Sequence, residues 1–167
     1  MALAAASLLV AGCDTTSVEG SPTATSTVKN AGLFEPCDIP AQAIQGAGLD
    51  PASKDADFFG VQHTGWELCR WSASWYYLAV LSTSHTFDEV KNNPNNRDVG
   101  PVTVPGRDAV SSVDVSDVKR EVCDVAFPSG QGAVIVRAST KGGLAIEENP
   151  CVVAVRAATQ LNDAIPK

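Results

Sequence analysis

Residues 121–139 read EVCDVAFPSGQGAVIVRAS, and the architecture turns on how they pair. From Glu121 to Phe127 apolar and polar side chains alternate. Successive Cβ atoms of a strand point to opposite sides, so Cys123, Val125 and Phe127 share one face. Pro128-Ser129-Gly130-Gln131-Gly132 is turn chemistry, and Ala133 to Ser139 returns as a second, β-branched run. Strands joined by so short a loop pair antiparallel, because a parallel pair needs a crossover of about a dozen residues or more. An antiparallel sheet is therefore expected.

The rest of the chain supplies further strands and a few helices. Trp66 to Trp71 alternates around Cys69, and Trp75 to Leu81 is a nearly continuous apolar run, so both read as strands, the second well buried. Val102 to Val104 and Asp108 to Val115 are strands bent at Pro105-Gly106. Asp38 is placed to cap a short helix over Pro40 to Ala47, which Gly48 stops. Thr86-Phe87-Asp88-Glu89 is a capping box whose helix must end before Pro94. The clearest helix opens at Asn149-Pro150 and ends before Pro166. Cys151, Ala154, Ala158, Leu161 and Ile165 form its apolar stripe. Residues 50–65 and 92–100, punctuated by Pro51, Gly60, Gly65 and Pro94, read as loops. The expected class is α+β: a single domain, an antiparallel sheet with helices packed on one face.

Composition narrows the partners. The 167 residues are 44% hydrophobic and 19% charged, with a formal net charge of -7 and no Lys/Arg-rich stretch. Such a chain is a poor match for nucleic acid or for electrostatic docking on anionic lipid. The long apolar segment before Gly12 is too short to span a bilayer, which takes about 20 residues. It reads instead as the hydrophobic part of a secretion signal. Met1-Ala2-Leu3 lacks the basic residue with which a signal opens, so the start is expected upstream.

Val10-Ala11-Gly12-Cys13 resembles a bacterial lipobox, which implies cleavage before Cys13 and acylation of its thiol. Residues 14–32 are dominated by Ser, Thr and other small polar residues. This segment cannot bury enough apolar surface to offset its ordering entropy, so a flexible tether is expected, reaching about 25 Å. The organisation expected is thus a signal over residues 1–12, an acylated cysteine and tether over 13–32, and an extracytoplasmic domain over 33–167. The place expected is the outer face of the cell membrane, held by the lipid anchor.

Setting Cys13 aside removes the odd count from the five cysteines and leaves Cys37, Cys69, Cys123 and Cys151. An even set in an exported domain suggests two disulfides with three connectivities open. No zinc-ligand spacing accompanies them, so no metal site is expected. Pro36-Cys37 and Pro150-Cys151 each open a helix, whereas Cys69 and Cys123 sit in strands. That pattern favours sequential pairing, Cys37–Cys69 and Cys123–Cys151, as two helix-to-strand staples.

Several short motifs now stand in order: Leu33-Phe34-Glu35-Pro36-Cys37 before a helix ending in Gly48-Leu49-Asp50; Cys69-Arg70-Trp71 before an apolar strand; Val104-Pro105-Gly106-Arg107-Asp108-Ala109; then the Cys123 hairpin and the Pro150-Cys151 helix. Over about residues 33–166 this order resembles the actinobacterial, mycobacterial-type lipoproteins of domain of unknown function 3558. The resemblance implies a cell-envelope lipoprotein and carries over no catalytic residue.

The residues themselves offer little catalytic chemistry. His63 lies near Asp55 and Asp57, and His85 near Asp88 and Glu89, but no nucleophile motif accompanies either. Asn92 to Asp98 is oxygen-rich without a calcium loop's spacing. A non-enzymatic binding module with no cofactor is therefore expected, its partner an envelope protein or glycan. The alternatives are a lipid- or glycan-binding module and, behind it, an envelope hydrolase. Trp66 and Tyr76 are the candidate ligand-binding aromatics, while Trp71 is expected in the core beside Cys69. Arg107 is expected in a structural turn, free to pair with a sheet-edge carboxylate.

Overall fold

The computed structural model describes residues 32–57, 60, 63–130 and 132–167. The expected signal, Cys13 and all but the last residue of the expected tether lie outside them. Among the described residues seven strands form one antiparallel sheet in the order β1-β2-β3-β7-β6-β5-β4. They are β1 (Asp50–Asp55), β2 (Trp66–Ser72), β3 (Tyr76–Thr83), β4 (Asn96–Val104), β5 (Arg107–Asp114), β6 (Val122–Ser129) and β7 (Gly132–Thr140). The helices are α1 (Ala41–Gly46), α2 (Phe87–Lys91) and α3 (Pro150–Leu161), with 3-10 turns at Pro36–Asp38 and Asn162–Ala164. Among the described residues no helix is long and apolar enough to cross a membrane.

The hairpin of residues 121–139 is β6–β7, with β6 running on through Pro128 to pair Ser129 with Gly132. It joins the two halves of the sheet, because β7 also pairs with β3 along its whole length. One face carries the main core. Leu78, Val80, Val125, Phe127, Val134 and Val136 are at 0% exposure there, and α3 covers them with Val153, Ala154, Ala157, Ala158 and Leu161. The alanines keep the helix backbone close to the strands. Each fully buried Val or Leu contributes about 1.5–3 kcal/mol, so this interface supplies much of the fold's stability.

Both disulfides fasten the helical layer to this same face. Cys37–Cys69 ties the first 3-10 turn to β2, and Cys123–Cys151 ties the first turn of α3 to β6, with Cα–Cα separations of 5.1 and 5.0 Å. The sequential pairing is thus the observed one. Trp71, 1% exposed, lies in the core with Cys69, as the alternation requires. Cys69 and Cys123 fall on one face because β2, β3, β7 and β6 are in register through Cys69↔Val80↔Val136↔Val125 and Trp71↔Leu78↔Ala138↔Cys123.

Several local expectations need correction. Residues 50–55 form the edge strand β1 rather than a loop, and β4 begins at Asn96, inside the expected 92–100 loop. Both are edge strands, where Pro51 and Pro101 are tolerated because one row of backbone groups needs no ladder partner. β4 carries an irregularity between Arg97 and Gly100, with Asp98 at φ 54°. Asp38 does not cap α1: Pro40 stands at that cap position without a side-chain bond. Glu35 instead accepts from the Cys37 N–H, at the 3-10 turn. α3 ends at Leu161, and Ile165 reaches the core from beyond the adjoining 3-10 turn.

The helical layer on the core face is α1 and α3. α2 lies elsewhere: Phe87 and Val90 pack against Ala79, Leu81, Ala126 and Ile135, which point to the opposite face. The capping box forms as expected, with the Glu89 N–H bonding the Thr86 hydroxyl and the Glu89 carboxylate accepting from the Thr86 N–H. α2 is only five residues long, yet Ala79, Leu81, Ala126 and Ile135 of that second face are buried as a smaller apolar cluster.

Candidate functional site

This second face has an order of its own. Register aligns Asp55, Arg70, Ala79, Arg137, Asp124 and Ser112 directly opposite one another across β1, β2, β3, β7, β6 and β5. Next to this polar row runs an apolar one, Leu68, Leu81, Ile135, Ala126 and Val110. Directly opposed side chains lie close enough to interact, so the polar row holds two ion pairs, set apart by Ala79. Arg70 meets Asp55 at 2.6 Å, and Arg137 grips both oxygens of Asp124 at 2.7 Å through Nε and one Nη. The bidentate bond to Asp124 holds Arg137 above its ordinary basicity.

Between this face and the α2–β4 connection runs a groove of about 500 Å³. Its floor is Ala126, Ile135 and the Asp124–Arg137 pair. Its walls include Trp66, His85, Glu89 and the run Asn92–Asn96. A second concavity of about 230 Å³ adjoins it, and Trp66, Ile135 and Arg137 line both. Asn96 is anchored by donating from its amide to the Val90 carbonyl, 2.9 Å, which closes α2 onto β4. Asp114, at the groove's end, accepts from the Ser116 hydroxyl and N–H, and these bonds hold its carboxyl below the usual range.

The candidate aromatics part company here. Trp66 is half-buried at the head of β2, on the second face, packed against its apolar cluster and 5.9 Å from the His85 ring. Tyr76 belongs to the core face, 9% exposed and edge-on to Trp75, and burial raises its pKa while Arg156 hydrogen-bonds its hydroxyl. It offers no flat face to a ligand. Trp75 also packs in the core, whereas Tyr77 lies on the second face beneath Arg70 and Lys141. His85 approaches Glu89 at 3.9 Å, too far for a hydrogen bond, and Glu89 is already held by Thr86. His63 lines the smaller concavity. Among the described residues no three His, Cys, Asp or Glu side chains converge as a metal site.

Arg107 does not pair with a carboxylate. Its guanidinium donates to the Asn162 side chain and to the carbonyls of Asn162, Ile165, Pro166 and Pro128, while lying 4.5 Å over the Phe127 ring. Burial lowers its pKa. Its work is to clasp the C-terminal segment to the β4–β5 turn.

A protein-family model described as "Protein of unknown function (DUF3558)" matches residues 8–163. The chain belongs to the DUF3558 family. The match takes in the Cys13 segment, all four disulfide cysteines and every wall of the groove. No curated protein and no solved structure matches the chain. Within this DUF3558 domain the Asp124–Arg137 pair and Ser112 carry no motif that marks them in the sequence. Alternation puts Asp124 on the side away from Cys123 and Val125, but only the register shows which residues meet there.

Proposed function

We propose that this protein is a lipid-anchored envelope lipoprotein of the actinobacterial type. Its tethered domain works as a non-enzymatic binding module outside the cytoplasm. The observation that carries the reading is one chain holding, in order, Val10-Ala11-Gly12-Cys13, a Ser/Thr-rich segment and a domain cross-linked by Cys37–Cys69 and Cys123–Cys151. Paired disulfides fit an oxidising compartment. The family match beginning at residue 8 supports treating the lipobox-like segment as part of the family's plan. The groove beside α2 supports a binding role, since ligand sites are concave surfaces with a few convergent polar groups.

Two measurements test this. Cys13→Ala should abolish acylation and release the protein from the membrane fraction; unchanged partition overturns the anchor. Crosslinking in intact cells should capture an envelope protein or glycan above a control carrying only the anchor and tether. A capture profile equal to that control overturns the binding role.

A further inference from the structure

One end of the sheet displays the aliphatic side chains that the fold leaves in water. Among the described residues, the large exposed hydrophobics are Val99, Val115, Val118, Leu144, Ile146 and Val152. They fall on the first half of β4, the β5–β6 loop, the β7–α3 loop and the first turn of α3. All lie toward the end of the sheet where β5 and β7 finish and β4 and β6 begin, and the Cys123–Cys151 bond fixes the first turn of α3 there too. Singly scattered aliphatics need no explanation, but a group of them marks an interaction surface. We infer that this end is a self-association surface: two copies of the chain pair about a two-fold axis, each placing Val118 in an apolar groove of the other.

Val118 is held out on a braced loop. It is 86% exposed, between Asp114 at the end of β5 and Val122 at the start of β6. Arg97 donates to the carbonyls of Asp114 and Asp117, and the Asp117 carboxylate accepts from the N–H groups of Glu121 and Val122. Asp98 and Arg120 both take positive φ, 54° and 58°, and their side chains pair at 2.7 Å. Such backbone is costly outside glycine and persists only where the surroundings impose it.

The receiving groove runs beside α3. It holds about 420 Å³ between the helix and strands β4 and β5, lined by Val102, Cys151, Val152 and Val155 with Ser111 and Arg156. It shares no residue with the groove beside α2 and goes beyond the binding role proposed for that site.

Charge favours a second copy as the occupant. Lys119 and Arg120 follow Val118, whereas Glu147 and Glu148 precede the turn that carries Cys151 and Val152. Arg120 and Glu148 are spent on Asp98 and Arg156. Lys119 and Glu147 are exposed and make no ion pair among the described residues. Seating Val118 beside α3 of the other copy sets its Lys119 against the unspent Glu147 there. Loop and groove stand at one end of one chain, so the contact is reciprocal and closes as a dimer. Each contact is small beside the roughly 800 Å² per partner of a stable interface, and Val99, Val115, Leu144 and Ile146 supply further apolar area.

Sedimentation equilibrium of the full chain, in density-matched detergent with micelles in excess over protein, tests the pairing. The expected result is a reversible monomer–dimer equilibrium with a dissociation constant of about 10 μM. Val118→Asp and Val152→Asp, both at exposed positions, should each weaken it about tenfold or more while the melting temperature stays at the parent's. Lys119→Glu or Glu147→Lys alone should weaken it about threefold, and the two together should restore it. A chain that stays monomeric to about 100 μM overturns the inference and leaves the surface to a different protein. A dimer that survives both aspartate variants overturns it as well. So does growth of oligomers beyond the dimer, or a charge swap that fails to recover what the single reversals lose.

Discussion

Arg107 and Asn162 meet across 55 residues of chain, the guanidinium Nε donating to the amide oxygen at 2.6 Å. The same side chain donates to the carbonyls of Asn162, Ile165 and Pro166, in and beyond the turn that follows α3, and the Ser129 hydroxyl donates to the Pro166 carbonyl as well. The Asn162 amide completes the clasp by donating to the Pro105 carbonyl, 2.9 Å.

Arg107→Ala should therefore cost about 3 kcal/mol, because several partly buried acceptors lose a charged donor together. Arg107→Lys should recover little, since an ammonium cannot reach a fork of acceptors. Urea unfolding measures the loss, and hydrogen exchange should show the C-terminal segment opening first. A stability within about 0.5 kcal/mol of the parent would contradict the clasp.

The ion pair under the groove gives a second expectation. Arg137→Met leaves the Asp124 carboxylate without its partner and should cost about 2–3 kcal/mol. Removing both charges, as Asp124→Leu with Arg137→Met, should cost less than the two single changes added. A double-mutant cycle in thermal or urea unfolding reads the coupling, and strict additivity would refute it.

Cross-links come third. Non-reducing peptide mapping should yield the Cys37–Cys69 and Cys123–Cys151 peptides and no others from these four cysteines. Replacing either pair by alanine should lower stability by about 3–4 kcal/mol, the loop entropy returned to the unfolded chain.

Acid sensitivity arises from the carboxylates. Bonds from Thr86 hold Glu89 below the ordinary glutamate value of 4.5, and a bond from Arg156 does the same for Glu148. A depressed folded pKa gives stability that is complete above the ordinary value and lost as pH falls below it through the folded one. Carboxylate NMR should show Glu89 titrating late on acidification, and Thr86→Val, which keeps the larger backbone N–H bond and removes the hydroxyl bond, should move it part of the way back up. An unmoved Glu89 titration in that variant would remove the Thr86 hydroxyl as a contributor.

Gly132 provides a steric test. A Cβ there would lie 1.9 Å from the Thr83 carbonyl oxygen, so Gly132→Ala should destabilise by about 2–3 kcal/mol. Gly130, at φ 54° with open space around its Cα, should accept Asn at little cost. Equal melting temperatures for Gly132→Ala and the parent would show that β3 and β7 can separate there.

How much of this was legible in the residues depends on how local each feature is. Alternation over Glu121 to Phe127, the apolar run through Leu81, the Thr86–Glu89 box and the Asn149-Pro150 helix start all act within a few residues, and each forms in the fold. The disulfide pairing is legible from which cysteines open helices and which lie in strands. β1 is not legible, because DPASKD carries no apolar period: an edge strand of small polar residues is held by β2, not by its own pattern. Trp66 emerges as a groove residue, but Tyr76 goes to the core, since one position along a strand reverses the face.

Periodicity, turn chemistry and cysteine placement are short-range and additive along the chain, and so the residues alone dictate an antiparallel α+β domain with two staples. Assembly of the sheet was needed to bring Asp55, Arg70, Arg137, Asp124 and Ser112 into one row. It was needed, too, for α2 to roof the opposite face and for Arg107 to close on Asn162. Those relationships join residues far apart in the chain. They are set by strand register and by competition for buried acceptors, which become defined only when all seven strands are in place.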